Sequence, residues 1–285
     1  MNDNQFNALS NAFYDKFTEM YSKKPNIDYE RMKDDCVSWI KGFVKSYGND
    51  KTAVVIGMSG GKDSTVVAKL LVEALGSERV YGLIMPNGEM ADIDDARKAC
   101  EVAGIKYDIN NIGLVYEAAC DAFLSKTEKP NAKVATNLPS RIRMSMLYAF
   151  AATYNNGNCF VVNTSNFAER LIGYGTLWGD TVGDFAPIAK MFVNDVISIG
   201  YVLGIPSELL IKAPADGMTG KTDEDVLGFT YDEVEETYKH LFDKSFPKTP
   251  NFNKIKERIY KMQWKMELTD NVPSFGYLES TYLGD

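Results

Sequence analysis

A strand, a glycine turn and a helix follow one another at residues 52–74, and this unit constrains the chain more than any other stretch. The apolar run Thr52–Ile56 predicts a buried strand, and the spacing of apolar residues after Thr65 predicts a helix. Between them, Ser59–Ser64 reads Ser-Gly-Gly-Lys-Asp-Ser. Glycines let backbone N–H groups crowd round an anion, and a helix N-terminus favours negative charge. The unit therefore predicts a site for a pyrophosphate group.

Two common phosphate motifs do not fit this turn. A Walker A loop has four residues between its first glycine and Gly-Lys-Ser/Thr, whereas three residues separate Gly57 from Gly61 and Asp63 follows the lysine. A dinucleotide-binding Gly-x-Gly-x-x-Gly is also absent. The remaining alternatives are a different phosphate-binding turn or an ordinary glycine-rich strand-to-helix connection.

Further strands and helices alternate along the chain, which predicts an α/β fold with a doubly wound parallel sheet and flanking helices. We expect one domain over residues 1–285, with a helical segment at 1–48 and a helical part at 190–285. The predicted strands, besides the first, are Arg79–Met85, Tyr107–Ile109 and Cys159–Asn163. The predicted helices are Tyr29–Tyr47, Asp92–Ala103, Leu138–Tyr154, Val193–Leu203, Tyr231–Phe242 and Asn251–Met266.

Composition excludes several functional classes. The net charge of −8, with scattered basic residues, argues against a nucleic-acid partner. No apolar run is long enough to span a membrane, and the first residues lack the pattern of a signal peptide. Four widely spaced cysteines predict reduced thiols in a cytoplasmic protein. The single histidine, His240, lies in an acidic helical segment, so a histidine-dependent nucleophilic mechanism is not expected.

Three later segments carry a second group of polar residues. Asn137–Met144 places Arg141 and Arg143 at the start of a predicted helix, and Thr164–Glu169 directly follows a predicted strand. A glycine-rich stretch then contains Asp180 and Asp184. Taken singly, these segments are also consistent with surface arginines, a capped turn and a plain connection.

The Ser59–Ser64 turn resembles the PP-loop of the ATP pyrophosphatases, which cleave ATP between its α and β phosphates. With the three later segments in this order, about residues 25–245 resemble the ammonia-dependent NAD⁺ synthetases. That resemblance implies ATP-dependent amidation of deamido-NAD⁺ (nicotinic acid adenine dinucleotide) by ammonia, through an acyl-adenylate, with release of AMP and pyrophosphate. It also implies Mg²⁺, a homodimer and a ligase of the class EC 6.3.1.5.

The resemblance implies roles for individual residues. Asp63 and Glu169 would ligate Mg²⁺, and Asp180 would act beside the reacting carboxylate, where it could orient ammonia or accept its proton. The residues expected to bind ATP are Gly57, Ser59, Gly60, Gly61, Lys62, Asp63, Ser64, Thr164 and Lys190. Those expected to bind the acid substrate are Arg141, Arg143, Asp184, Lys212 and Asp216. The polar loop Lys212–Asp225 is expected to form a lid.

Three departures from the family pattern leave alternatives open. Val193 stands where the family usually has a lysine, Ala215 stands where it has a hydroxyl, and Trp264–Met266 replaces His-Lys-Arg. Lys190, Lys212 or Lys221 could supply the missing charge. A related ligase acting on another carboxylate is the first alternative, and a sulfonucleotide reductase or a silent nucleotide-binding module are the others.

Overall fold

The computed structural model describes residues 27–89, 93–124, 129–211, 222–270 and 272–275. Within these ranges the strands are β1 (Ala53–Gly57), β2 (Val80–Ile84), β3 (Lys106–Ile109) and β4 (Cys159–Val162). The helices up to β4 are α1 (Tyr29–Tyr47), α2 (Lys62–Leu75), α3 (Ile93–Ala103), α4 (Gly113–Phe123) and α5 (Ala132–Thr153). Those after β4 are α6 (Phe167–Leu171), α7 (Val193–Val202), α8 (Ser207–Leu210), α9 (Asp223–Leu227), α10 (Tyr231–Phe242) and α11 (Phe252–Thr269).

The four strands form one parallel sheet in the order β3-β2-β1-β4. Strand β1 pairs with β2 through Val54 and Val80, and with β4 through Val54 and Phe160. The chain winds from β1 towards β3 on one side, and β4 is added on the other. The carboxyl ends of β1 and β4 therefore border the point where the strand order reverses, which is where open α/β sheets bind ligands.

Helices cover both faces of the sheet. Val54 and Ile56 of β1 point into a core that includes residues of α1, α2 and α7, whereas Val55 points to the opposite face, against α5. This alternation follows from the two-residue period of a strand, and it explains why β1 is apolar throughout. The predicted α/β class with a parallel sheet and flanking helices is confirmed.

A third cluster of buried residues lies beyond the sheet. It joins α6 to α10 and α11 through Phe167, Tyr238 and Ile259, and the rings of Phe167, Phe192 and Tyr238 pack edge to face. The later helices α10 and α11 thus pack against α6 and support the segment that follows β4.

Two sequence predictions need correction. Helix α5 begins at Ala132, where the Asn131 side chain caps it, so Arg141 and Arg143 lie in its middle and not at its start. Helix α4 was not predicted.

The four cysteines are free, as expected, with only Cys159 partly exposed. Among the described residues, none of the helices is both long enough and apolar enough to cross a bilayer.

We expect Gly200→Ala, in α7, to lower the free energy of unfolding by about 1–2 kcal/mol, because overpacking outweighs the gain in helix propensity. A methyl group there would overlap the Leu210 side chain and press on Val66, both of which are fully buried. The matched control is Gly42→Ala in α1, where a methyl group meets nothing within 4 Å. That variant should gain about 0.5–1 kcal/mol in urea denaturation. Equal shifts in the two variants would contradict the packing of α7 described above.

Candidate active site

The turn after β1 is shaped by Gly60. Its φ of +82° lies in the left-handed region, and a β-carbon at this position would come within 2.6 Å of the Ala96 backbone nitrogen in α3. Glycine is therefore required both by the backbone conformation and by the close approach of α3. Helix α2 begins immediately afterwards, with Gly61 as its N-cap and no side-chain cap. The first N–H groups of α2 are consequently available to an anion.

The hydroxyl groups of the turn brace the turn itself. Ser59 Oγ accepts a hydrogen bond from the Gly61 N–H at 3.2 Å and lies 3.2 Å from Ser64 Oγ. Ser64 Oγ and Thr65 Oγ1 both donate to the Gly61 carbonyl, at 3.1 and 2.8 Å. These contacts fix the backbone of the turn and use the Gly61 N–H and carbonyl.

Asp63 connects the turn to the segment after β4. Its Oδ2 accepts a hydrogen bond from Lys62 Nζ at 3.1 Å, and its Oδ1 accepts one from Asn166 Nδ2 at 3.3 Å. The structure thus brings together two segments that the sequence analysis placed after separate predicted strands. The Lys62 side chain is only 5% exposed, and burial opposes its charge while Asp63 and Glu169 favour it, so that its pKa is raised overall.

The β4 end is ordered by local hydrogen bonds. Asn166 caps α6 by accepting from the Glu169 N–H at 3.0 Å, and Glu169 Oε2 accepts from the Asn166 N–H at 3.4 Å. This reciprocal pair is a capping box, which fixes the position of the Glu169 carboxylate. Thr164, half-buried, lies between β4 and this box.

Glu169 carries the most perturbed carboxyl of the site. Burial raises its pKa first and the neighbouring Asp63 charge adds to this, so that the pKa reaches about 8 despite Lys62. The side chain borders a small recess that lies between the segment after β4 and α11. An additional cation beside Asp63 and Glu169 would relieve this repulsion.

Asp180 is held in a fixed orientation. Its Oδ1 accepts from the Thr176 N–H at 2.5 Å and from Ser140 Oγ at 3.1 Å. Its carbonyl accepts from Asn163 Nδ2 and Ser165 Oγ, at 2.7 and 2.9 Å. The residue as a whole is exposed, yet burial of its carboxyl group raises the pKa of Asp180.

The backbone beside Asp180 is strained. Trp178 adopts a φ of +62° and is 51% exposed. Arg141 Nε donates to the Leu177 carbonyl at 3.1 Å, which fixes this turn from α5. A non-glycine residue in this region costs about 1–3 kcal/mol, and such residues cluster at functional sites.

Other predicted residues are engaged elsewhere or lie apart. Arg143 Nε donates to the Met85 carbonyl at the end of β2, and burial lowers the pKa of its guanidinium. The Asp184 carboxylate accepts from the Val161 N–H at 2.7 Å and from Tyr148 Oη at 3.3 Å, so it ties its loop to β4. Lys190 is half-buried and makes no hydrogen bond or ion pair within the described ranges.

Part of the predicted site cannot be placed. Lys212, Asp216 and Lys221 lie outside the described residues, as does most of the predicted lid loop. The substrate roles of Lys212 and Asp216 therefore stay predictions.

Several residues of the site were not singled out from the sequence. Asn166 could have been predicted as a helix-capping residue, because an asparagine three residues before a glutamate fits the sequence pattern of a capping box. Ser140 gave no such signal, since it meets Asp180 only through tertiary packing. Lys265 of α11 donates to the carbonyls of Gly173 and Gly175 and thereby anchors the loop that leads to Asp180.

The raised pKa of Glu169 predicts a dependence of stability on pH. A carboxyl with a higher pKa in the folded than in the unfolded protein stabilises fully at low pH, and this contribution is lost as pH rises through the folded pKa. With a shift from 4.5 to about 8, the metal-free protein should lose stability steadily from about pH 5 to 8. Glu169→Gln should flatten this decline in urea denaturation with EDTA. Parallel curves for the two proteins would show that Glu169 does not have the raised pKa.

The described geometry agrees with comparisons to known proteins. The family model for NAD synthase matches residues 32–269. The NH₃-dependent NAD⁺ synthetase of Thermococcus kodakarensis is 36% identical over 240 residues, covering 84% of this chain and 91% of the relative. That of Archaeoglobus fulgidus is 32% identical over 246 residues, covering 85% and 96%.

Solved structures agree with this assignment. An NMN synthetase from Francisella tularensis superposes with a TM-score of 0.72 at 29% identity, covering 88% of this chain and all of that one. An NH₃-dependent NAD synthetase from Campylobacter jejuni, solved with a nitrate ion, gives a TM-score of 0.69 at 26% identity with the same coverage. The resemblance seen in the sequence is therefore confirmed, and the chain belongs to the NAD synthase family.

Proposed function

We propose that this protein is an ammonia-dependent NAD⁺ synthetase, a ligase that uses ATP to convert the carboxylate of deamido-NAD⁺ into an amide. The proposal rests mainly on the N-terminus of α2, which no side chain caps. This N-terminus lies where the strand order reverses, beside Asp63 and Glu169. Membership of the family supports the same activity. In this reaction the substrate carboxylate attacks the α-phosphorus, pyrophosphate leaves, and ammonia then displaces AMP from the acyl carbon.

The turn would bind the ATP phosphates. The N–H groups at the start of α2 would donate to phosphate oxygens, and the helix dipole would favour their negative charge. Ser59 and Ser64 keep this backbone in place through their contacts with Gly61. Lys62 would add a positive charge once a phosphate competes for its ammonium group. Because the cleaved bond lies between the α and β phosphates, both phosphates must be held rigidly.

The donor set at Asp63 and Glu169 fits Mg²⁺. Burial and then the neighbouring Asp63 charge both raise the pKa of Glu169, and a divalent cation bound between the two carboxylates would offset both effects. No group of three or more acidic, cysteine or histidine side chains in the described ranges could hold a metal without other ligands. This fits Mg²⁺, which is usually bound by one or two carboxylates together with substrate phosphates. When bound, Mg²⁺ offsets the charge of the phosphates during attack at the α-phosphorus.

Asp180 would act on the nitrogen donor. Its carboxylate is held in place by Thr176 and Ser140, so it can accept a hydrogen bond from ammonia or ammonium without reorganising. As ammonia attacks the acyl carbon, the nitrogen gains a positive charge, and a proton must leave it. A carboxylate within reach can accept that proton or stabilise the charge.

A second candidate substrate follows from one comparison. The Francisella protein is named an NMN synthetase, so a relative of this fold yields a mononucleotide. For this chain, the corresponding acid is nicotinic acid mononucleotide. At the position where a family lysine is usual, Val193 packs into the third core cluster, and the neighbouring Asn194 donates to Asp232 and Glu235. The start of α7 therefore lacks the lysine that the family usually has there.

An assay with both acids tests the function. With ATP, Mg²⁺ and ammonium, deamido-NAD⁺ should give NAD⁺, AMP and pyrophosphate in equal amounts, as read by mass spectrometry. We expect its kcat/KM to exceed that of nicotinic acid mononucleotide by about tenfold or more, about 1.4 kcal/mol of transition-state binding. A reversed preference would favour the second candidate. Release of ADP and phosphate would contradict the assignment of the turn.

We also propose that the protein is a symmetric homodimer. Helix α4 has only Cys120 buried, while Leu114, Val115 and Phe123 are 81%, 46% and 56% exposed. The adjoining α5 buries only three of its 22 residues. Exposed apolar residues clustered on one helix mark an interaction surface, and a two-fold dimer is the commonest assembly of identical chains.

The dimer can be tested on α4. Leu114→Glu places a charge on the exposed apolar surface and should shift the protein towards the monomer in sedimentation equilibrium. The matched control is Tyr201→Glu in α7, which replaces another apolar residue that is 51% exposed. The control should sediment like the wild-type protein, at twice the chain mass. A wild-type monomer, or equal dissociation of both variants, would contradict this interface.

We further propose a cytoplasmic location. The four cysteines are free thiols, and three of them are buried. Reduced thiols of this kind are typical of proteins that work where glutathione keeps cysteines reduced.

A further inference from the structure

Lys62 is an unusual residue for the place that it occupies. It is the first residue of α2, and its side chain is 5% exposed. Its Nζ donates to Asp63 Oδ2 at 3.1 Å, and Asp63 is its only partner within the described ranges. The PP-loop pattern Ser-Gly-Gly-x-Asp-Ser leaves this position open, so phosphate binding alone does not demand a lysine here.

The surroundings of the ammonium group are acidic. Besides Asp63, the charges of Glu169 and Asp223 act on it. Asp223 is itself buried and accepts from Tyr174 Oη at 2.8 Å. A buried ammonium group costs several kcal/mol unless it is paired, and so does a buried carboxylate. Lys62 therefore places a positive charge beside these carboxylates.

A divalent cation and the Lys62 ammonium group compete for Asp63 Oδ2. Mg²⁺ binds carboxylate oxygens at about 2.0–2.1 Å, and Lys62 Nζ lies 3.1 Å from the same oxygen, so the two positive charges would repel each other. Asp63 Oδ1 already accepts a hydrogen bond from Asn166 Nδ2. The charge of Lys62 thus opposes binding of the free metal, whereas metal that arrives with ATP also brings phosphates to receive the ammonium group.

We propose that Lys62 is an internal counter-cation that occupies the cation position of Asp63 until ATP arrives. It blocks binding of the free metal and makes the metal enter together with the nucleotide. The proposal rests on the assignment of Asp63 and Glu169 as metal ligands in the proposed function. Lys62 thereby sets the order in which metal and nucleotide bind.

The test compares binding of Mn²⁺ alone, read from the electron paramagnetic resonance signal of the free ion. Lys62→Met should bind Mn²⁺ about tenfold or more tightly than the wild-type protein, because the competing charge is gone. Lys62→Arg keeps a cation and should behave like the wild-type protein. Lys62→Gln replaces Lys62→Met if the latter does not fold.

Thermal unfolding gives a second readout. Without metal, Lys62→Met should be destabilised, because Asp63 and Glu169 lose their counter-charge, and Mn²⁺ should restore its melting temperature. The matched control is Lys33→Met in α1, which also breaks partly buried ion pairs, with Asp34 and Glu73. The control should lose stability without any response to Mn²⁺.

The outcomes separate this inference from the metal assignment. Equal affinity of the wild-type protein and Lys62→Met for free Mn²⁺ would overturn the role of Lys62. Adding α,β-methylene-ATP then tests the assignment itself. If Mn²⁺ bound with this analogue in the wild-type protein but not in Asp63→Asn, the metal site would stand. Absence of Mn²⁺ binding to every protein under both conditions would overturn both.

Discussion

The pairing of β1 with β2 on one side and with β4 on the other is the constraint on which the site depends. It brings the glycine turn after β1 and the Thr164–Glu169 segment to the same edge of the sheet. The hydrogen bond from Asn166 to Asp63 joins the two segments directly. Strand order thus makes neighbours of residues about a hundred positions apart, and the later helices add Asp223 and Lys265 around them.

The site also contains a group of charged side chains that interact with one another. Asp63, Glu169 and Asp223 lie close enough to influence one another, and Lys62 is the cation that the described structure places among them. Such a cluster is unfavourable in itself, because burial penalises each charge. It becomes useful when a substrate brings both negative phosphates and a divalent cation, since the protein then exchanges its internal partners for those of the ligand.

The sequence predicted the parts of this structure that arise from local patterns. The apolar run of β1, the Ser59–Ser64 motif and the amphipathic pattern of α1 each depend on neighbouring residues, and the structure has all three elements. Helix α5 was predicted to start at Leu138, yet it begins at Ala132 and contains Pro139, a residue that the interior of a helix disfavours. Helix α4 was missed, since its exposed apolar residues do not form a one-sided pattern.

The site was only partly predictable for the same reason. Asp63, Glu169 and Asp180 were identified through motifs, and the structure places each of them at or near the edge of the sheet where β1 and β4 end. Ser140 and Lys265 come from distant helices and act through tertiary contacts that no local pattern encodes. Asp184, in contrast, belongs to a segment that the sequence linked to substrate binding. In the structure its carboxylate accepts a hydrogen bond from the Val161 N–H and ties its loop to β4.

The central claim is that this edge of the sheet presents the α-phosphorus of ATP to a carboxylate. It is tested most directly by transfer of oxygen from the acid to the nucleotide. Deamido-NAD⁺ labelled with ¹⁸O in its carboxylate should yield AMP that carries one labelled oxygen in its phosphate, because the carboxylate oxygen stays on the α-phosphorus when ammonia displaces AMP. Label found in pyrophosphate or inorganic phosphate, with none in AMP, would contradict the account.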